Sequence, residues 1–227
     1  MRDRHLKRSF ALAALFTAAL WVVQTAGAVT GIPLGVLGIR PGHVAGLHGV
    51  LTAPLVHGSF AHLLANTPPL LVLGTAMLYG FPRASKVALP VIWLGSGLGV
   101  WLFARDAIHL GASGLAYGMM LFVFVIGVLR RDRPSMGLAM IVFFLYGSMI
   151  WGVLPLKPGV SFESHLFGAI AGLLAAFALR RRDPLVARRR YEWEEPDAED
   201  EDALIGDLWR DADQPERPGR GRDRRDV

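Results

Sequence analysis

Six long apolar stretches separated by short polar loops dominate residues 1–182 of this chain. They run from Ser9 to Val29, His62 to Gly80, Val87 to Ala104, Ser113 to Leu129, Ser135 to Val153 and His165 to Leu179. Each approaches or reaches the roughly 20 residues that a helix needs to cross about 30 Å of hydrocarbon. The pattern predicts an all-α, polytopic membrane protein built as a bundle of six transmembrane helices.

Basic residues alternate between the two sides of these spans. Twelve Lys and Arg side chains lie before the first span, between the second and third, between the fourth and fifth, and after the sixth, whereas the opposite side holds Arg40, Arg105 and Lys157. Short cytoplasmic loops are enriched in basic residues, so both termini are expected to be cytoplasmic. The excess of Arg over Lys is typical of GC-rich bacterial genomes and favours a multi-pass protein of a bacterial plasma membrane.

Charge divides the chain into two parts. Residues 1–182 carry a net charge of +11 and residues 183–227 a net charge of −6. A basic body is expected beside anionic lipid, so a nucleic-acid partner is not needed to explain it. We predict a six-helix membrane domain over residues 1–182 and a disordered, acidic and Arg-rich cytoplasmic tail over residues 183–227.

The first span allows two interpretations. A basic start, an apolar run and the small residues Ala26-Gly27-Ala28 resemble a cleavable signal peptide. Its apolar run of about 21 residues is longer than the usual 7 to 15 of such peptides. A retained first helix is therefore favoured.

Two polar side chains lie at similar depth in separate spans. Ser113 precedes Arg130 by 17 residues and His165 precedes Arg180 by 15 residues. At about 1.5 Å of rise per residue, both lie roughly 22 to 25 Å from the cytoplasmic arginines. An ionisable residue at membrane depth marks a candidate functional site, here expected below the outer surface in a cavity open to that side.

Glycine pairs follow both residues. Gly114 and Gly118 come just after the serine, and Gly168 and Gly172 just after the histidine. Small residues four apart let helix backbones approach closely in lipid. They either serve packing alone or also bring the hydroxyl within reach of the imidazole.

A neighbouring base can activate a serine hydroxyl by taking its proton. His165 could fill that role, and a serine–histidine dyad without a third residue is in principle sufficient for nucleophilic catalysis. Four acidic residues precede the tail, namely Asp3, Asp106, Asp132 and Glu163. Asp3 and Asp132 lie on the cytoplasmic side, and Glu163 is two residues from His165, points elsewhere on a helix and is expected to be a loop or cap residue. We therefore expect no carboxylate at the right depth to orient the imidazole. Tyr117, one turn after Ser113, either packs its ring on the imidazole or serves helix packing.

Acyl transfer also needs hydrogen-bond donors for the developing oxyanion. The Ser113 amide lies in the first turn of a helix, where backbone N–H groups lack intrahelical partners. His62 and Asn66 are four apart and share a helix face, so they could add donors or merely cap and join helices.

Metal chemistry finds little support in the sequence. The chain has no cysteine, and none of its seven histidines forms an HExxH motif. His57 and His62 are five apart, which puts them on different faces of a helix. We predict no metal site.

With these features together, the chain resembles the rhomboid family of intramembrane serine proteases. The resemblance rests on the stretch from His57 to Asn66, on Gly111-Ala-Ser113-Gly114 with Tyr117, and on His165-Leu-Phe-Gly168 followed by Gly172. It implies that Ser113 is the nucleophile, that His165 is the general base, and that His62, Asn66 and the Ser113 amide hold the oxyanion. It further implies supporting roles for Gly111, Gly114, Tyr117, His57 and Gly168, and no cofactor.

The resemblance also implies a substrate that is itself a transmembrane helix, cut near its outer end beside a small residue. Two other classes of protein stay open. A catalytically silent rhomboid-like protein would bind membrane clients, and a small-solute transporter would place polar residues along a path through the membrane. Pro68 and Pro69 are expected to bend or weaken the second helix.

Overall fold

Helices form most of residues 2–156 and 159–184, which are the residues that the computed structural model describes. The α-helices are α1 (Arg2–Thr30), α2 (Gly49–Thr52), α3 (Phe60–Gly80), α4 (Ser85–Phe103), α5 (Ser113–Arg130), α6 (Arg133–Tyr146) and α7 (Phe162–Leu179). Short 3-10 segments lie at Leu34–Leu37, Val44–Gly46, Ala53–Leu55 and Gly147–Val153. Six of these helical segments are long and apolar enough to cross a membrane. The predicted all-α bundle of six transmembrane helices is confirmed, while residues 185–227 of the predicted tail lie outside the described residues.

Serine caps start two helices earlier than the hydrophobic pattern indicates. α3 begins at Phe60 because the Ser59 hydroxyl accepts a hydrogen bond from the His62 amide at 3.1 Å. α7 begins at Phe162 because the Ser161 hydroxyl accepts one from the Ser164 amide at 3.4 Å. A side-chain oxygen at this position satisfies one of the free amides of the first turn. The two helices that carry His62 and His165 therefore have fixed starts.

Two helix interiors differ from the simplest expectation. The predicted span from Ser135 to Val153 is an α-helix only to Tyr146, and it continues as a 3-10 segment over Gly147–Val153. α3, in contrast, runs without a break through Pro68 and Pro69. Prolines are tolerated in transmembrane helices where neighbouring helices and polar side chains compensate for the lost backbone bonds.

α5 is the central helix of the bundle. It contacts α3, α4, α6 and α7, and 61% of its membrane-spanning window is buried, against 11% for the span that contains α6. The first residue of α5, Ser113, therefore lies at one end of the best-packed element.

The closest helix contact joins α5 to α7. A methyl group added to Gly168 would overlap the Gly114 carbonyl, and one added to Gly172 would overlap the Gly118 carbonyl. Helices that lack side chains at the crossing can bring their backbones together in lipid. This contact places the starts of α5 and α7 side by side.

A polar cluster closes the opposite end of the bundle. The Asp183 carboxylate accepts hydrogen bonds from the Arg83 amide at 2.8 Å and the Ala84 amide at 3.0 Å, next to the start of α4. Arg130 donates to the Asp132 carboxylate at 3.1 Å and to the Asp183 carbonyl at 2.7 Å. Packed side chains thus extend at least to Asp183, one residue past the predicted domain boundary.

The glycine contact predicts a specific loss of stability. Gly172→Ala should lower the free energy of unfolding by about 1 to 3 kcal/mol, because the added methyl group forces the two backbones apart. Thermal unfolding in detergent micelles measures the effect. The matched control is Gly137→Ala, where a methyl group meets nothing within 4 Å; this variant should unfold at or slightly above the wild-type temperature. Equal unfolding temperatures for the two variants would contradict the packing argument.

Candidate active site

A hydrogen bond joins Ser113 to His165. The Ser113 Oγ lies 2.9 Å from His165 Nε2. Ser113 is the first residue of α5, and His165 lies in the first turn of α7, so the α5–α7 contact holds both in place. His165 is buried and Ser113 is half-buried. The two side chains are arranged for proton transfer from the hydroxyl to the imidazole.

The other ring nitrogen of His165 fixes which nitrogen carries the proton. Nδ1 lies 2.8 Å from the Gly152 carbonyl oxygen. A carbonyl can only accept, so Nδ1 must hold the hydrogen and Nε2 must present its lone pair to Ser113. A backbone carbonyl thus occupies the place that a carboxylate takes in a serine–histidine–aspartate triad.

Tyr117 packs flat against His165. The ring centroids are 4.1 Å apart, and the ring planes differ by 4°. The Tyr117 hydroxyl lies against Gly152, where any side chain would overlap it. The tyrosine ring, the histidine ring and the glycine backbone therefore form one packed unit.

Free amides lie next to the Ser113 hydroxyl. The first hydrogen bond of α5 runs from the Ala116 amide to the Ala112 carbonyl at 3.1 Å, so the helix leaves the amides of Ser113 and Gly114 unused. The Ala112 amide points elsewhere and donates to His57 Nε2 at 3.3 Å. A helix start of this kind favours negative charge.

Gly111 lets the turn before the serine pass close to His62. Its φ angle of 111° lies in a region that residues other than glycine rarely adopt. A methyl group there would also lie 2.6 Å from His62 Cε1. The glycine is therefore needed for both the turn and the position of His62.

His62, Ser113 and His165 face a cavity of about 450 Å³. Its lining consists of Gly58, Ser59, His62, Ile108, Leu110, Ser113, Gly159, Val160, Ser161 and His165. The structure thus brings His62, Ser113 and His165 together. Asn66 is not part of this lining: its side chain is buried, and its amide donates to the His62 carbonyl at 3.2 Å. Within the described residues, no group of three His, Asp or Glu side chains is placed to hold a metal ion.

Comparison with known proteins assigns the chain to a family. The family model for the Rhomboid domain matches residues 44–182, which is more than half of the chain. This chain belongs to the rhomboid family. The match includes every residue of the cavity lining and both glycine pairs of the α5–α7 contact. Members of the rhomboid family are mostly serine proteases.

Individual relatives share much of this rhomboid's length. An uncharacterized protein of Mycobacterium tuberculosis is 39% identical over 173 residues, covering 72% of each chain. A similarly uncharacterized protein of Mycobacterium leprae is 37% identical over 175 residues, covering 72% of this chain and 68% of its own. RHOMBOID-like protein 7 of Arabidopsis thaliana is 30% identical over 151 residues, covering 64% of this chain and 45% of its own.

His57 supports the serine turn of this rhomboid from behind. The residue is 2% exposed, and its ring meets the His62 ring edge-on, with centroids 5.1 Å apart. Burial first, and then the charge of His62, lowers the pKa of His57 to about 4. A neutral His57 accepts the Ala112 amide hydrogen at Nε2, whereas its Nδ1 is buried without a hydrogen-bond partner.

Sequence reasoning missed Gly152. It lies 13 residues before His165, inside an apolar stretch that reads as one helix. Every residue has a backbone carbonyl, so the residue type does not indicate which carbonyl will accept this hydrogen bond. The sequence could predict only that a dyad without a carboxylate needs another acceptor for Nδ1.

The lowered pKa of His57 predicts that acid destabilises the protein through this residue. The unfolded chain binds a proton at His57 below about pH 6.5, but the folded chain does so only below about 4. The contribution of His57 to the free energy of unfolding is therefore fully present above about pH 6.5 and is lost as the pH drops towards 4. When the pH falls from 7 to 4.5, the free energy of unfolding of wild type should decrease by about 2 to 3 kcal/mol more than that of His57→Gln. The glutamine amide oxygen can still accept the hydrogen bond from the Ala112 amide.

Thermal unfolding in detergent across this pH range measures the difference. The control is His5→Gln at an exposed position of α1, which should keep the full acid sensitivity of wild type. Parallel pH curves for wild type and His57→Gln would contradict the prediction.

Proposed function

We propose that this rhomboid is an intramembrane serine endopeptidase that cuts transmembrane-helix substrates near their extracytoplasmic end. The observation that carries the proposal is the 2.9 Å hydrogen bond between Ser113 Oγ and His165 Nε2 beside a cavity of about 450 Å³. Membership of a family of mostly serine proteases supports it.

The proposed reaction proceeds through an acyl-enzyme. His165 Nε2 takes the hydroxyl proton as Ser113 Oγ attacks the carbonyl carbon of the scissile peptide bond. His165 then gives that proton to the departing amine, which leaves an ester on Ser113. A water molecule, deprotonated by the same nitrogen, attacks the ester carbonyl carbon. His165 then returns that proton to the departing Ser113 Oγ, which releases the carboxylic acid product and restores the dyad.

Gly152 supplies the orienting group of this dyad. Its carbonyl holds Nδ1–H and so keeps Nε2 unprotonated and directed at Ser113. The carbonyl dipole stabilises the positive charge that forms on the imidazole during the reaction, and the face of the stacked Tyr117 ring attracts it. Cation–π contacts of this kind contribute about 0.5 to 2 kcal/mol.

The oxyanion would be held by the Ser113 amide and the His62 side chain. The amide lies at the start of α5, where the helix dipole favours negative charge, and the imidazole faces the same cavity as the serine. Asn66 would join them only if its amide turned from the His62 carbonyl towards the cavity.

Helix length supports the site's depth in the membrane. α5 and α7 have 18 residues each, or about 27 Å at 1.5 Å per residue, which is less than the hydrocarbon thickness of about 30 Å. With Arg130 and Arg180 at the cytoplasmic surface, Ser113 and His165 lie below the opposite surface. The basic residues on the same side as Arg130 and Arg180 support a cytoplasmic N-terminus and C-terminus in a bacterial plasma membrane. The cavity would then admit water from the opposite side.

Substituting either member of the dyad should abolish cleavage. Purified wild-type protein is expected to cleave a reporter transmembrane helix in proteoliposomes, while Ser113→Ala and His165→Ala should each lose at least about 1,000-fold in kcat, because nucleophile and base act as one unit. A fluorophosphonate should label wild type but not Ser113→Ala. The matched control is Ser148→Ala, an exposed serine of the 3-10 segment, which should behave as wild type.

Two results would overturn this assignment. Undiminished cleavage by Ser113→Ala would exclude the serine mechanism. A wild-type protein that takes no label and binds a transmembrane helix without cutting it would instead support a client-binding rhomboid-like protein.

Gly152→Ala should also lower kcat, although it substitutes neither member of the dyad. The added methyl group overlaps the Tyr117 hydroxyl and therefore displaces the ring that packs on His165. We expect kcat to fall about 10- to 100-fold, since misplacement of about 1 Å has effects of this size. Tyr117→Phe removes the overlapping oxygen, so Gly152→Ala/Tyr117→Phe should recover part of the activity. Absence of recovery in a folded double variant would contradict this contact.

A further inference from the structure

A hydrogen bond between His109 and Ser161 joins the two chain segments that carry the dyad. His109 lies four residues before Ser113, and Ser161 lies four residues before His165. His109 Nδ1 is 2.6 Å from the Ser161 Oγ. We propose that His109 is a positioning residue that acts through Ser161 to set the separation of Ser113 and His165. This inference rests on the proposed protease function.

His109 is itself rigidly held. The residue is 1% exposed, and its backbone exchanges two hydrogen bonds with Ile39, of 2.9 and 2.8 Å. Ring Nε2 lies 3.1 Å from the Arg105 carbonyl. The ring cannot turn without losing bonds at both nitrogens, so it provides a fixed point for the segment that reaches Ser161.

The hydrogen positions in this network are determined by its acceptors. The Arg105 carbonyl can only accept, so Nε2 carries the hydrogen and Nδ1 accepts from the Ser161 hydroxyl. The Ser161 oxygen in turn accepts from the Ser164 amide at 3.4 Å and lies 2.7 Å from the Ser164 Oγ. Ser161 thus caps α7 and at the same time donates to His109.

The dyad is consequently held on two sides. After Ser113 and His165, the backbones of α5 and α7 touch at Gly114 and Gly168. Before them, the bond from His109 to Ser161 ties the incoming segments together. Without this tie, the next bond between the two segments runs from Arg105 to the Val160 carbonyl at 2.7 Å, farther along the chain from both dyad residues. The helix starts can then separate while the glycine contact remains, which lengthens the distance from Ser113 Oγ to His165 Nε2. An error of about 1 Å in such a pair can lower the rate about 100-fold.

Two substitutions at His109 separate the tie from the other contacts. In His109→Asn, the side-chain oxygen takes the place of Nδ1 and can accept from the Ser161 hydroxyl. In His109→Gln, the longer amide takes the place of Nε2 and can donate to the Arg105 carbonyl, but it leaves Ser161 without its acceptor. Both variants keep Ser161 as the cap of α7.

The test is kcat per labelled active site in proteoliposomes. Fluorophosphonate titration of Ser113 counts functional sites, so a variant that is only less stable shows fewer sites with a normal kcat for each. We expect kcat per site to fall about 10- to 100-fold in His109→Gln, with KM within about twofold of wild type. His109→Asn should keep kcat per site within about threefold, because it retains the tie.

A destabilising control lies at the opposite end of the bundle. Asp183→Ala removes the carboxylate that binds the Arg83 and Ala84 amides, so it should lower the unfolding temperature without changing kcat per site. Normal kcat per site in His109→Gln would overturn the positioning role, as would equal losses in the Gln and Asn variants. Failure of wild type to label or cleave would instead refute the proposed protease function.

Discussion

Backbone contact between α5 and α7 is the constraint on which the rest of this structure depends. Lipid tails are as apolar as leucine side chains, so helices in a membrane associate by close packing and not by escape from water. Gly168 and Gly172 lie directly on the carbonyls of Gly114 and Gly118, an approach that any side chain would prevent. The same contact brings the starts of both helices together, and each start carries one polar residue of the candidate site.

A dyad without a carboxylate suits this location. A buried carboxylate would have to be removed from water along with its counter-charge, which is expensive in an apolar environment. The Gly152 carbonyl orients the imidazole through a 2.8 Å hydrogen bond and adds no net charge. The buried His57 fits the same pattern, since its pKa of about 4 keeps it neutral while it supports the turn before Ser113. The group that orients the imidazole is thus a neutral carbonyl, and the reaction proposed above would develop its charge on the dyad beside it.

Capping and backbone geometry explain where expectation and structure differ. The hydrophobic pattern places the start of the last span at His165, but Ser161 caps the helix and starts it at Phe162. The span after Ser135 reads as one helix, yet it tightens into a 3-10 segment that presents Gly152 to His165. Asn66 shares a helix face with His62 as predicted from their spacing, but its amide hydrogen bonds to the His62 carbonyl. Each difference arises from a hydrogen bond that hydropathy does not encode.

The sequence by itself determined the six spans, the glycine pairs, the similar depth of Ser113 and His165, and the resemblance that led to the rhomboid family. These features are local: a span is a run of apolar residues, and a helix contact surface is a repeat of small ones. Only the tertiary structure decided what surrounds the dyad, namely the Gly152 carbonyl, the stacked Tyr117 and the tie from His109 to Ser161. Those contacts join residues 13 to 52 positions apart, and they depend on where the chain returns, which no local pattern specifies.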